Sequence, residues 1–149
     1  MDIERFGKRM IELLPQLMRG VTRQEHNYLS RGQITLPQLW ALESLVRERA
    51  GCQMHEIAAS LGISRPAATG LMDRLIAQGL VRREGDQKDR RIVRVRITAK
   101  GQKIVDAIWD QKRRTIMKVF GRISPSDRSQ YISILERVVT NLTQQELDK

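Results

Sequence analysis

Residues 55–98 read HEIAASLGISRPAATGLMDRLIAQGLVRREGDQKDRRIVRVRIT. The hydrophobic period of this stretch changes once, and that change decides the fold. From His55 to Leu61, the apolar residues Ile57, Ala58 and Leu61 share one face of a short helix. Gly62 stands where that helix must end, at a position suited to positive φ. Ser64 is placed to cap a second helix running to Gln78. Pro66 fits its first turn, and Ala68, Leu71, Met72 and Leu75 face inward. Gly79 closes it, and the period then becomes two. Leu80 to Glu84 extends as a strand. In the next strand, Val93, Val95 and Ile97 alternate with Arg94 and Arg96. The polar segment from Gly85 to Arg91 is too long for a tight turn, so it forms the loop of a β-hairpin. A short helix, a glycine turn, a second helix and a hairpin make a winged helix-turn-helix.

The flanks are helical. Thr35-Leu36-Pro37-Gln38 is a capping box with proline in the first turn, and Leu39, Leu42 and Val46 follow as an inward face. Before it, Ile3, Phe6, Met10, Leu13 and Leu17 form a helical apolar stripe. Pro15 is expected to kink or divide that helix, and a second helical stretch is expected to run to about Leu29, stopped by Arg31-Gly32. After Thr98, an N-cap, a long helix should reach about Arg122, with Ile104, Ile108, Ile116, Val119 and Phe120 as its apolar positions. Ser124-Pro125-Ser126-Asp127 repeats the capping box. It opens a last helix with Tyr131, Ile134, Leu135, Val138 and Leu142 at helical spacing. The expected fold is mainly α with a small β-hairpin wing (α+β). Residues 35–98 form the winged helix-turn-helix. Residues 1–34 and 99–149 form a helical dimerisation region, and the whole is expected to be one compact unit.

The 149 residues carry a net charge of +10, with a pI near 10.6. Such charge says little about fold but favours polyanionic partners. Its placement is informative: residues 47–103 hold thirteen Lys/Arg against six Asp/Glu, and residues 82–100 hold eight against three. No apolar run approaches the ~20 residues of a membrane span, and MDIERFGKRM lacks a signal-type apolar stretch, so a cytoplasmic location is expected. Cys52 is the only cysteine, so no intramolecular disulfide is possible. With two histidines, one cysteine and no nucleophile motif or phosphate loop, there is little from which to build an enzyme.

The winged motif gives the charge a use. The major groove admits one α-helix, and the N-terminal turns of the second helix of such a motif face the bases. Here those turns carry Ser64, Arg65, Pro66, Ala67, Thr69 and Gly70. Arg65 suits paired bonds to guanine, Thr69 a base or phosphate, and the methyls of Ala67 and Thr69 thymine. Gly70 permits close approach, and Arg74, a turn further on, suits a phosphate. In the hairpin loop, Lys88, Arg90 and Arg91 suit the adjacent minor groove. Asp89 is expected to buttress Arg91 through a carboxylate–guanidinium fork.

Four blocks carry a resemblance to the MarR family, the multiple-antibiotic-resistance regulators. They are Leu36-Pro37-Gln38-Leu39; Glu56-Ile57-Ala58 with Leu61-Gly62-Ile63-Ser64; Ala67 to Leu75 with Gly79-Leu80-Val81; and Asp89-Arg90-Arg91 with Ile97-Thr98-Ala99-Lys100-Gly101. Their order and spacing together are specific, and they extend over most of the chain. The resemblance implies a triangular homodimer with intertwined N- and C-terminal helices. Ile3, Phe6, Met10 and Leu13 would then pack against Ile134, Val138 and Leu142 of a partner. It also implies a regulator, a repressor above all, on a pseudo-palindromic operator. Many such proteins release DNA when a small, often phenolic, ligand binds between the dimer region and the winged domain. The positive charge here would favour an anionic ligand. Others sense peroxide through a cysteine near the first helix, a position Cys52 does not occupy, or metals through clustered ligands, which His26 and His55 do not form. No cofactor or metal is expected. Gly70 departs from the family, which often carries a larger polar or basic residue there. The alternative reading is a ligand-independent architectural DNA binder.

Overall fold

The structure, a computed structural model, describes the chain except for residues 23–27, 30, 86–88, 90 and 148–149. In chain order the elements are α1 (Ile3–Thr22), α2 (Leu36–Arg47), α3 (Met54–Leu61), α4 (Arg65–Ala77), β1 (Val81–Gly85), β2 (Val93–Ile97), α5 (Ala99–Phe120) and α6 (Pro125–Leu147). The chain resolves into two compact units. The first is Glu25–Lys112 and the second joins Met1–Gln24 to Arg113–Lys149. The boundaries fall outside the expected 34/35 and 98/99 because flanking residues serve the winged core. Ile34, before α2, is buried, and so are Val105 and Ile108 of α5.

In the winged unit, local signals fix the helix ends. Thr35 Oγ1 accepts from Gln38 N, and the Gln38 side chain accepts from Thr35 N, completing the box that opens α2. Gly62, at φ 62°, closes α3 in the left-handed region. The core then follows from the apolar faces: Leu39 and Leu42 on α2, Ile57 on α3, Met72 and Leu75 on α4, and Val81 and Val95 on the strands. Leu45 replaces Val46 as the most buried residue at the end of α2, with Val46 only packed against the core. The strands pair antiparallel with Val81 opposite Ile97, Arg82 opposite Arg96 and Gly85 opposite Val93. The alternation holds on β2 only in part, for Val95 is buried while Val93 is 51% exposed. Val93 lies at the distal end of the ribbon, beyond the core.

The start of α5 is locked to the end of α4. Thr98 Oγ1 accepts from Gly101 N as the expected N-cap and donates to Gly79 O at 2.7 Å. A Cβ on Gly101 would stand 2.2 Å from Leu80 O, so only glycine allows this approach.

In the second unit, α1 runs unbroken through Pro15, so the helix is not divided there. Pro15 lacks only the one N–H that would bond Ile11 O. The expected second helical stretch falls largely on residues outside those described. At the start of α6, Asp127 N donates to Ser124 Oγ and the Ser124 hydroxyl donates to Asp127 Oδ2. Phe120 and Tyr131 stack at 5.5 Å between ring centres. Little else is covered within this unit. On α6, from Pro125 to Gln144, only Arg128 is even half-buried, and on α1 Phe6, Met10, Leu13, Leu14 and Met18 are exposed.

Candidate nucleic-acid interface

The N-terminal turns of α4 are presented to solvent. Ser64 has extended backbone angles and its Oγ accepts from Ala67 N at 3.3 Å, which fixes the first turn. That oxygen is used by the helix, but its hydrogen is available to an outside acceptor. Arg65, Pro66, Ala67, Gly70 and Arg74 are exposed, whereas Ala68, Leu71 and Met72 are buried beneath them. Thr69 is half-buried, so it turns partly away from the outer face on which the sequence placed it. A Cβ on Gly70 would meet nothing within 4 Å, so this position is open space. The helix N-terminus and Arg65 together make a local positive end, favourable to phosphate.

In the wing, Lys88 and Arg90 lie outside the described residues. Asp89 and Arg91 are exposed. Asp89 Oδ1 accepts the backbone N–H of Arg91 at 2.9 Å, and Asp89 O accepts from Ile92 N. That oxygen therefore holds the loop backbone rather than the Arg91 guanidinium, correcting the expected fork. A short carboxylate side chain reaches a backbone N–H two residues on more readily than the end of a long flexible arginine.

The strand arginines of this basic segment are engaged within the chain. Arg83 Nη2 donates to Asp73 Oδ1 at 2.7 Å, tying β1 to the exposed side of α4. Arg82 and Arg96, opposite one another across the ribbon, share Glu84: Arg82 Nε lies 2.6 Å from Oε1 and Arg96 Nε 2.7 Å from Oε2. Arg94 donates to Gly51 O and Arg96 to Arg49 O. By contrast, no described residue pairs with the guanidinium groups of Arg65, Arg74 or Arg91. On the face formed by α4 and the described wing shoulder, Arg65, Arg74 and Arg91 are thus left without a described partner. The tie from Asp73 to Arg83, which sequence reasoning missed, holds those two elements in fixed register. The only signal for it was a carboxylate on the outer face of α4, and that does not say which strand arginine it meets.

Cys52 is buried and pairs its backbone with Val95. Burial pushes its thiol above the ordinary value of 9.0, with Glu56 and Glu48 adding to the shift and Arg94 opposing it. It is a packed side chain rather than an activated thiolate. Among the described residues no group of three or more His, Cys, Asp or Glu could hold a metal ion, and no helix is long and apolar enough to cross a membrane.

A hairpin wing beside a capped helix with outward cations defines a winged helix-turn-helix regulator. A sequence model of the MarR family matches residues 33–92. The HTH-type transcriptional regulator FarR of Neisseria gonorrhoeae is 30% identical over 112 residues, which are 73% of this chain and 76% of FarR. The transcriptional repressor MprA of Escherichia coli is 27% identical over 110 residues, 74% of this chain and 61% of MprA. The fold matches that of an S. aureus MepR mutant bound to an oligodeoxyribonucleotide. The TM-score is 0.64 at 21% identity, covering 95% of this chain and 99% of that one. MepR is also known bound to ethidium bromide. The chain belongs to the MarR family and is a DNA-binding transcriptional regulator, not an enzyme.

Proposed function

We propose that the protein acts in the cytoplasm as a homodimeric repressor on a pseudo-palindromic operator and leaves it when a small ligand binds. Ser64, Arg65, Pro66, Ala67, Thr69 and Gly70 enter the major groove, with Arg74 on a phosphate. Arg91, with Lys88, Asp89 and Arg90, carries the wing to the adjacent minor groove. The observation that carries this reading is the sorting of the arginines. Arg65 and Arg74 on α4 and Arg91 at the wing have no described partner, while the strand arginines Arg82, Arg83, Arg94 and Arg96 are engaged within the chain. Unpaired guanidinium groups exchange counterions for phosphates, which supplies affinity.

The dimer is supported by the bare apolar surface of the second unit. Ile3, Phe6, Met10 and Leu13 on α1 and Ile134, Val138 and Leu142 on α6 are all at least 39% exposed. Apolar surface this extensive marks an interface. MprA's designation as a repressor and the ethidium complex of MepR favour repression and ligand release over an architectural role. Selection of bound duplexes from a random pool tests the proposal. The expected product is an inverted repeat with half-sites ~10 base pairs apart. Equal binding of scrambled duplexes would overturn it in favour of a ligand-independent architectural binder.

A further inference from the structure

The end of α4 is held by the start of α5. α4 stops in a Schellman arrangement: Gly79, at φ 70°, donates its N–H to Ile76 O, and Leu80 N donates to Leu75 O. The carbonyls of Gln78, Gly79 and Leu80 lie past that turn and cannot be bonded from within α4. All three are taken by residues 98–100. Lys100 Nζ donates to Gln78 O at 2.8 Å, Thr98 Oγ1 to Gly79 O at 2.7 Å, and Thr98 N to Leu80 O at 3.0 Å.

Lys100 is the unexpected member of this latch. It stands in the first turn of α5, which carries no acid, and a cation there opposes the dipole of its own helix. The same ammonium meets the carbonyl end of α4, where a cation is favoured. Lys100 thus serves α4 at the expense of the helix it belongs to. It is exposed, and a lone surface contact adds little to stability, so what it supplies is direction. From the latch, α5 runs unbroken from Ala99 to Phe120, and the boundary between the two units, Lys112/Arg113, falls inside it. The helix fastened to the end of α4 is therefore one whose later turns belong to the second unit.

We propose that Lys100 is a positioning residue for DNA recognition. Through Gln78 O it fixes the direction of α4 against α5, and so the half-site spacing that a dimer accepts, without itself touching DNA. The inference rests on the dimeric, paired-site reading above.

The test uses the full-length protein and duplexes carrying the selected half-sites at their best spacing, or one base pair closer or further apart. One base pair turns a half-site by roughly 35° about the duplex axis, so firmly held reading helices should discriminate. In fluorescence anisotropy, the parent should bind the off-spacing duplexes ~tenfold more weakly. Lys100→Met keeps the length of the side chain but removes the donor, and should lower that ratio roughly fivefold. Lys100→Arg, which can still donate to Gln78 O, should restore it. Because the readout is a ratio between duplexes on one protein, a general loss of stability does not move it. The salt slope on the best duplex should be the same in the parent and Lys100→Met. A fall of ~1.8, the figure for two lost phosphate contacts, would place Lys100 on DNA and overturn the proposal. A spacing ratio unchanged in Lys100→Met, in a parent that does discriminate, would overturn the latch alone. A parent indifferent to spacing would overturn the paired-site reading and the latch with it.

Discussion

Replacing Arg91 by alanine isolates the wing's contribution to DNA binding. Arg91 is exposed, no described residue pairs with its guanidinium, and its backbone is held by Asp89 rather than by its own side chain. Truncation should therefore leave folding intact and remove only intermolecular contacts. One arginine against one phosphate contributes ~0.9 to the slope of log K against log salt, so a dimer with two wings should lose ~1.8. The accompanying loss of affinity is expected at ~1–3 kcal/mol. Arg91→Lys keeps the charge but not the planar fork, so the slope should persist while affinity falls by a smaller amount. The assay is fluorescence anisotropy with a selected duplex between 50 and 200 mM salt, the range over which such slopes are read. If Arg91→Ala leaves both slope and affinity as in the parent, the wing does not touch DNA and the reasoning fails.

Other perturbations test the fold and the assembly. Gly101→Ala places a methyl 2.2 Å from Leu80 O, a backbone atom, and should destabilise the protein by ~3 kcal/mol; an unchanged urea midpoint would contradict the packing of α5 on the wing. Gly70→Ala meets nothing and should stabilise by ~0.5–1 kcal/mol, seen as a higher melting temperature. Ile134→Glu combined with Val138→Glu puts charges on the exposed face of α6, and light scattering should report a monomer for this variant and a dimer for the parent. Cys52 should react with maleimide far more slowly than a free thiol at neutral pH, because burial favours its neutral form. With the folded value raised, the associated stability is full below the ordinary value of 9.0 and declines as pH climbs through the folded value. Fast labelling at neutral pH would restore a redox role.

The elements of the winged unit were legible because their determinants are local. Thr35 with Gln38, Gly62, Ser64 and Thr98 each act within a few residues of themselves, and the inner face of α4 follows from a period of 3.6. What could not be read was set by neighbours distant in sequence. The partners of Arg82, Arg83 and Arg96 depend on strand register and on how β1 lies against α4. The claim of the winged core on Val105 and Ile108 depends on Gly101 allowing α5 to approach Leu80, and a glycine near a helix start does not announce such a contact. On α4, the outward placement of Arg65, Pro66, Ala67, Gly70 and Arg74 follows from the cap and the helical period. The acceptor role of Asp89 was open between backbone and guanidinium until the loop geometry was seen.

Gly70 has a wider meaning for how such a regulator can change. Its neighbours on α4 are constrained: Ala68, Leu71 and Met72 answer to the core, and Asp73 to the wing. Gly70 answers to none of them. If α4 docks on DNA as proposed, a lineage acquiring a side chain there would alter its taste for nucleotides without renegotiating anything beneath, so new operators would lie one codon away from a scaffold that need not notice.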